Sequence, residues 1–529
     1  MAENGNGGTG CSVQALQGVL EDARQLVSAN VGTTGADPSA LAPVTGCSFD
    51  SRAVAPGDVF FCKGAQFRPT FLRGALQSGA VAYVCEEPVA AELATVAGDA
   101  AAFVVKSVRT AMALLPPVVY NHPDRSLDVV GITGTKGKTT TAFMMQSIIH
   151  AAERTCGMMG SVDTDDGIEH FESTNTTPEA PEVWRHLSNC VKSGRPSMVM
   201  EVSSQALKYQ RVENLPFDIA CFLNIGRDHI SPIEHPTFED YFQSKLKIFE
   251  QCRVAIVNVG SDEFQRIMST AAAHAERTVT VGVDRPEADI WASDVKPVGF
   301  KIQFMLHGFE PDDHGVPMTL GIAGDFNVEN ALVAIATARE LGIPFEAIAR
   351  GLEKFRVPGR MEVVESADGR VIAVVDYAHN QLSFRSLFTS VNRAFPHSPV
   401  IAVFGAAGGK AQERREQLPR EAAPYSDLLI LTNEDPAHED PQKIVDELAA
   451  NVPAGTPYKT ILDREQAVRT AFEEARGACA KPGVPAIVLL LAKGDEELMH
   501  VGDEFVPIES DLSLAHRFAD TIGTDKNVR

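Results

Sequence analysis

Short apolar blocks punctuate this chain, and they alternate with stretches whose apolar residues recur at helical spacing. Val13 to Val27 has that spacing and predicts a helix. An alanine-rich helix around Phe71–Ser78 leads to a strand at Ala80–Val84. The run Leu127–Val130, interrupted only by Asp128, reads as a strand entering GITGTKGKTTT, Gly131–Thr141. Phe143, Met144, Ile148 and Ile149 then lie on one helix face. Buried-looking strands follow at Ser197–Met200 and Ile219–Leu223, and a further helix presents Tyr241, Lys245, Ile248 and Phe249. Another helix is expected at Ala331–Leu341. The last third holds four apolar runs, Val371–Val375, Val400–Phe404, Leu428–Leu431 and Ala486–Leu491, separated by helical patterns. This order predicts an α/β protein ending in a doubly wound, mostly parallel sheet.

Breakers divide the pattern. Residues 1–10 are glycine-rich and polar and read as a disordered tail. Asn121-His122-Pro123-Asp124 and Val357-Pro358-Gly359-Arg360 mark boundaries. Three domains are expected: a small α/β domain at 11–125, a central P-loop domain at 126–357 and a Rossmann-like domain at 358–529. A length of 529 residues accommodates them.

Composition narrows the class. The chain is 44% hydrophobic and 22% charged, as in soluble globular proteins. Its net charge of −23 argues against a nucleic-acid partner held on a basic face. Nine cysteines without a C-x-x-C pair point to reduced thiols and a cytoplasmic location. Neither a basic-apolar leader nor an apolar run of membrane-spanning length is seen, so no membrane insertion is expected.

The chemistry concentrates at Gly131–Thr141. Strand, glycine turn and helix form the layout of a phosphate-binding loop, whose backbone N–H groups and helix start face phosphate oxygens. Lys138 would reach the β- and γ-phosphates, and the Thr139 hydroxyl would bind Mg²⁺. Five residues separate Gly131 from Gly137, where a standard Walker loop has four. Glu201, at the end of the next strand, stands where such loops hold Mg²⁺, although a solvated strand-end glutamate fits the pattern equally well. The C-terminal runs end in Asp376-Tyr377-Ala378-His379, Gly405–Lys410, Thr432–Pro436 and Lys493-Gly494-Asp495-Glu496. Ligands bind beyond strand carboxyl ends in such sheets, so these ends should line one cleft facing the ATP loop.

The ordered set of motifs resembles the Mur ligases along nearly the whole chain. Gly134-Thr135-Lys136-Gly137-Lys138-Thr139-Thr140 is similar to the family's GTNGKT, with lysine replacing asparagine. Asp50-Ser51-Arg52 followed by Pro56-Gly57-Asp58-x-Phe60 resembles its uridine-diphosphate domain, while Arg68-Pro69-Thr70-Phe71 replaces the usual D-G-x-x-F. Next come Asn175-Thr176-Thr177-Pro178, Glu201-Val202-Ser203-Ser204, Asp228-His229 and Tyr241-x-x-x-Lys245, the order found in members that add the third peptide residue.

That resemblance implies roles. Glu201 and His229 would hold magnesium, and Lys245, carbamylated by CO₂, would help place a second Mg²⁺. Ser51, Asn175, Thr176, Thr177, Ser203 and Arg211 would contact the nucleotide-sugar peptide, with Gln205 where many members have His. Asn327 and Asn330 would lie near adenine, and Arg360, Asp376 and His379 would complete the ATP site. The implied reaction joins an amino acid to the D-glutamate of UDP-N-acetylmuramoyl-L-alanyl-D-glutamate, through an acyl phosphate made from ATP.

Members using meso-diaminopimelate carry D-N-P-R, whose arginine binds its distal carboxylate; here Glu434-Asp435-Pro436-Ala437 stands there. Two acids beside a missing arginine favour a side chain ending in ammonium. Lys410 would hold the α-carboxylate, and Glu496 matches the K-G-H-E glutamate that contacts the amino acid. L-Lysine is expected, with L-ornithine and then meso-diaminopimelate as alternatives. A folylpolyglutamate synthase, a P-loop motor and a nucleotide-sensing module are the competing readings. The first needs no uridine domain, the second needs a basic groove, and the third would tolerate loss of the metal ligands.

Overall fold

A computed structural model describes residues 10–31, 42–64, 67–227, 230, 234–309, 315–356, 361–409, 411–479 and 484–522. His229, Arg360 and Lys410 lie outside the described residues, as do residues 1–9 of the proposed tail, Asp228 and the Pro358-Gly359 boundary. By internal contacts the chain divides into two units. The first comprises residues 1–292, 307–314 and 329–351; the second comprises 293–306, 315–328 and 352–529.

The first unit opens with a five-stranded sheet of β1 (Leu26–Asn30), β2 (Gly46–Ser48), β3 (Asp58–Phe61), β4 (Ala82–Glu86) and β5 (Ala101–Val105). Its order is β1-β5-β4-β3-β2, parallel except for β1 against β5. Both faces are covered. Val59 and Phe61 pack on the helices Val13–Asp22 and Val108–Val119, while Phe60 and Tyr83 pack on Pro69–Gln77 and Glu87–Ala97. The helix expected to reach Val27 stops at Asp22. Arg24 turns the chain with a positive φ of 56°, and Leu26 onward pairs with β5, because sheet pairing outweighs the helical spacing.

The second sheet of this unit contains β6 (Asp128–Thr133), β7 (Gly157–Met159), β8 (Asp163–Asp165), β9 (His170–Glu172), β10 (Ser197–Glu201), β11 (Phe217–Phe222), β12 (Cys252–Asn258) and β13 (Arg277–Val283), and the start of β14 (Ile290–Val298). The order β14-β13-β12-β11-β6-β10-β7 is parallel, and β8 and β9 add antiparallel strands. The central strand β6 is buried on both faces beyond Asp128, which explains its unbroken apolar run. At Gly131 a Cβ would come within 2.7 Å of the Phe217 ring, so glycine there permits close packing between β6 and β11.

The second unit contains the antiparallel pair β15 (Lys301–His307) and β16 (Val316–Leu320). Its main sheet is β17 (Glu362–Glu365), β18 (Val371–Asp376), β19 (Val400–Phe404), β20 (Leu428–Leu431), β21 (Tyr458–Thr460) and β22 (Ala486–Leu491), ordered β17-β18-β22-β19-β20-β21. All pairs but β17/β18 are parallel. Helices cover both faces, so the expected doubly wound sheet is present. The short exposed strands β17 and β21 close its two edges, and their polarity concealed them from the apolar pattern. A hairpin, β23 (Leu498–Val501) and β24 (Glu504–Pro507), follows β22.

Candidate active site

In the first unit, β6 passes into the helix Lys138–Ala151 through Gly134–Gly137. Gly137 has φ +89° at the helix N-cap, and a Cβ there would overlap the Asn330 amide. Glycine is therefore needed both for conformation and for space. Asn224, just past β11, holds the loop from outside. Its backbone carbonyl accepts from Thr135 N at 3.0 Å, its Oδ1 accepts from Lys136 N at 2.9 Å, and its Nδ2 donates to Lys136 O at 3.1 Å. Lys138 Nζ donates to Gly134 O at 2.9 Å and to Thr135 O at 3.3 Å, so the ammonium lies over the loop.

Glu201 ends β10 and is only 1% exposed. Its carboxylate accepts from Ser161 N at 2.8 Å, Thr139 Oγ1 at 3.1 Å and Ser161 Oγ at 3.2 Å. Thr139 and Glu201 are thus brought together, as expected. A hydroxyl and a buried carboxylate form a hard-oxygen donor set, which suits Mg²⁺. Lys245 is 1% exposed and sits near the same loop. Its Nζ donates to Gly134 O at 2.9 Å and lies 4.9 Å from the centre of the Tyr241 ring.

Around Thr177 the structure gathers several predicted residues. Thr177 Oγ1 donates to Glu201 O at 2.9 Å and accepts from Ser203 N at 3.0 Å, while Arg211 donates to Thr177 O at 2.9 Å. Thr176 bonds Ser161 Oγ at 2.9 Å, and Asn175 is exposed beside it. Arg211 and Lys63, the latter just beyond β3, both reach Glu179, at 3.2 and 2.8 Å. Two cations therefore share one carboxylate near the predicted peptide contacts. Burial pushes the Lys63 ammonium down, and Glu179 partly offsets this. Ser51 lies half-buried in the turn after β2, next to an exposed Asp50–Arg52 pair.

In the second unit the strand ends carry the other predicted groups. Asp376 accepts from Ala378 N at 2.7 Å and Met361 N at 2.8 Å, and His379 Nδ1 donates to Tyr377 O at 2.6 Å. Asn327 is buried and donates to Ala323 O at 2.7 Å. Asn327 and Asn330 both lie in the helix Phe326–Glu340, which starts one turn earlier than its apolar spacing indicated.

The two acids after β20 have different surroundings. Asp435 pairs with Lys493 at 2.9 Å, and Lys493 also pairs with Glu496 and donates to Leu498 O at 2.7 Å. Glu434 is only 7% exposed, and its Oε2 has no hydrogen-bond partner among the described residues. Burial pushes its carboxyl up to about 7, against the opposing pull of Arg464. Ala437 adjoins the hairpin, its N–H donating to His500 O at 3.0 Å.

Sequence reasoning missed Ser161, His235 and Arg464. Arg464 is buried against Asp511 and donates to Asn433 O at 3.1 Å and Leu491 O at 2.8 Å, joining the ends of β20 and β22. Ser161 and Arg464 lie outside the motifs, and His235 falls between two of them with no spacing that marks it; packing decides what each one touches.

Residues 132–338 match the Mur ligase middle domain, and residues 359–494 match the Mur ligase glutamate ligase domain. The chain is 35% identical to a UDP-N-acetylmuramoyl-L-alanyl-D-glutamate–L-lysine ligase of Enterococcus faecalis, across 90% of this chain and 91% of that one. It is 36% identical to a UDP-N-acetylmuramyl-tripeptide synthetase of Lactobacillus delbrueckii, across 89% and 92%. A solved UDP-N-acetylmuramoyl-L-alanyl-D-glutamate–2,6-diaminopimelate ligase superposes with a TM-score of 0.65 at 24% identity, covering 92% of this chain and 97% of its own. A folylpolyglutamate synthase from Thermotoga maritima covers 72% of this chain with a TM-score of 0.54 at 17% identity, a likeness of fold alone.

Proposed function

This chain belongs to the Mur ligase family, and we propose that it uses ATP to join L-lysine to the D-glutamate of UDP-N-acetylmuramoyl-L-alanyl-D-glutamate in peptidoglycan precursor synthesis. Glu434 carries the choice of lysine. A buried carboxylate oxygen without a partner among the described residues, beyond a strand carboxyl end, is a ready acceptor for a substrate ammonium. Asp435 contributes indirectly, because Lys493 already neutralises it. Ala437 cannot pair with a distal carboxylate, which disfavours diaminopimelate.

In the reaction the glutamate carboxylate oxygen attacks the γ-phosphorus of ATP, and ADP leaves. The amino-acid nitrogen then attacks the acyl phosphate, loses a proton, and phosphate departs with the bridging oxygen. Lys138 and the N–H groups of Gly134–Thr140 would hold the phosphates. Thr139 and Glu201, with His229, would hold Mg²⁺, and a carbamylated Lys245 would hold a second ion. Bound there, Mg²⁺ would neutralise charge between phosphate and carboxylate. Thr177, Ser203 and Arg211, with Ser51, Asn175 and Thr176, would position the nucleotide-sugar peptide. Asn327, Asn330, Arg360, Asp376 and His379 would serve ATP, and Lys410 and Glu496 the amino acid. The three domains with boundaries near 125 and 357, and a cytoplasmic location, belong to the same proposal. No described helix is long and apolar enough to cross a membrane.

A competition assay tests the substrate. With lysine, ornithine and meso-diaminopimelate at equal concentration, lysine should dominate. Ornithine should trail by about tenfold or more, since one methylene is worth about 1–3 kcal/mol. Preferential incorporation of diaminopimelate would overturn the assignment.

A further inference from the structure

His235 is fully buried just ahead of the helix Phe238–Leu246, which carries Tyr241 and Lys245. Its Nδ1 lies 2.7 Å from Asp240 Oδ2, and its Nε2 lies 2.9 Å from Ser204 Oγ. Asp240 can only accept, so Nδ1–H donates to it, and in the neutral ring Nε2 accepts the Ser204 hydroxyl. Serine, histidine and aspartate in this order suggest a hydrolytic nucleophile. Ser204, however, is only 5% exposed, so its oxygen is shielded from any substrate carbonyl.

The arrangement instead links elements. Ser204 follows Glu201 by three residues, and Asp240 lies in the first turn of the Lys245 helix. Lys208 braces the same corner, with Nζ 2.6 Å from Asp240 and 3.0 Å from Glu234 O. On its other side the His235 ring meets Tyr241 edge-on, with centroids 5.2 Å apart. Tyr241 Oη lies 3.1 Å from Thr135 Oγ1, which accepts from Gly226 N at 3.0 Å. One buried ring thus joins the Glu201 turn, the Lys245 helix and, through Tyr241, the phosphate loop.

We propose that His235 is a positioning residue for the nucleotide site, locking the Lys245 helix to the Glu201 turn and setting the phosphate loop through Tyr241 and Thr135. The proposal rests on reading Gly134–Thr140 as the ATP loop. Buried, fully satisfied polar networks hold a single geometry, and the loss of one link leaves its partner unsatisfied.

Calorimetry with a non-hydrolysable ATP analogue alone reads the effect, alongside Tm and steady-state kinetics of the full chain. Ser204→Ala removes one link and little volume. It should weaken analogue binding about tenfold, raise the KM for ATP, leave the KM for the amino acid unchanged, and shift Tm by only a few degrees. His235→Gln, whose amide can donate to Asp240 and accept from Ser204, should retain more affinity than His235→Ala. Wild-type analogue affinity in both S204A and H235Q would overturn the proposal, whether or not H235A folds. So would hydrolysis of an activated ester by the wild type that S204A abolishes, because Ser204 would then be a nucleophile. A wild-type chain that bound no nucleotide would remove the phosphate-loop reading first, and the positioning role with it.

Discussion

Glu434 and Lys138 show how single charges are used in opposite settings. Burial raises the Glu434 carboxyl to about 7, with Arg464, Lys493 and Arg414 pulling it down and Asp435 pushing it up. A carboxyl raised in the fold stabilises it fully below the unfolded value of about 4.3, and that contribution is lost as pH rises through about 7. An incoming ammonium needs the ionised form. The KM for lysine should therefore fall as pH rises from about 6 to 8, whereas Glu434→Gln should show a higher KM without that dependence. An unchanged profile in E434Q would assign the titration to another group. Lys138 lies over its own loop, bonded to backbone carbonyls that phosphate oxygens can replace. Lys138→Ala should lower turnover on the order of a hundredfold or more while leaving Tm near wild type, as measured by phosphate release and thermal melting.

Among the elements, the helix Phe238–Leu246 does more than pack. Thr237 caps it by accepting from Asp240 N at 3.1 Å, and its buried face presents Tyr241 and Lys245 to the strand and loop around Gly134. A carbamate on Lys245 would carry a negative charge beside that loop. Lys245→Ala should then lose most ligase activity and recover part of it with added acetate or formate, read as phosphate release against carboxylate concentration. A fully active K245A would remove the residue from the mechanism. The strand, glycine turn and helix at Gly131–Thr141 were recognisable because they are local and contiguous in the chain. Its brace at Asn224 comes from the end of the neighbouring strand β11, and its connection to His235 runs through Tyr241, so no spacing rule could show them.

For the molecule as a whole, the proposed sites fall in both units: the phosphate loop, Glu201 and Lys245 in the first, and Asp376, Glu434 and Glu496 in the second. The proposed reaction would use groups from both units, which makes domain closure on ligand binding its expected consequence. Small-angle scattering should show a more compact particle with ATP analogue and nucleotide-sugar dipeptide than without them. Identical profiles at saturation would eliminate closure.

Period and punctuation were sufficient for the α/β class, the four main C-terminal strands, the strand, glycine turn and helix at Gly131–Thr141, and the strand-end positions of Glu201 and Glu434, because these follow from contacts between near neighbours in the chain. The same signals overextended the first helix and omitted β17 and β21, where pairing with a neighbouring strand decides the conformation. Tertiary packing also separated Glu434 from Asp435. Adjacent in sequence and alike in charge, they differ because Lys493 reaches one, while the other is buried with an oxygen unpaired among the described residues. Burial and partnership are set by residues arriving from distant strands, and that is why two like acids received different chemistry.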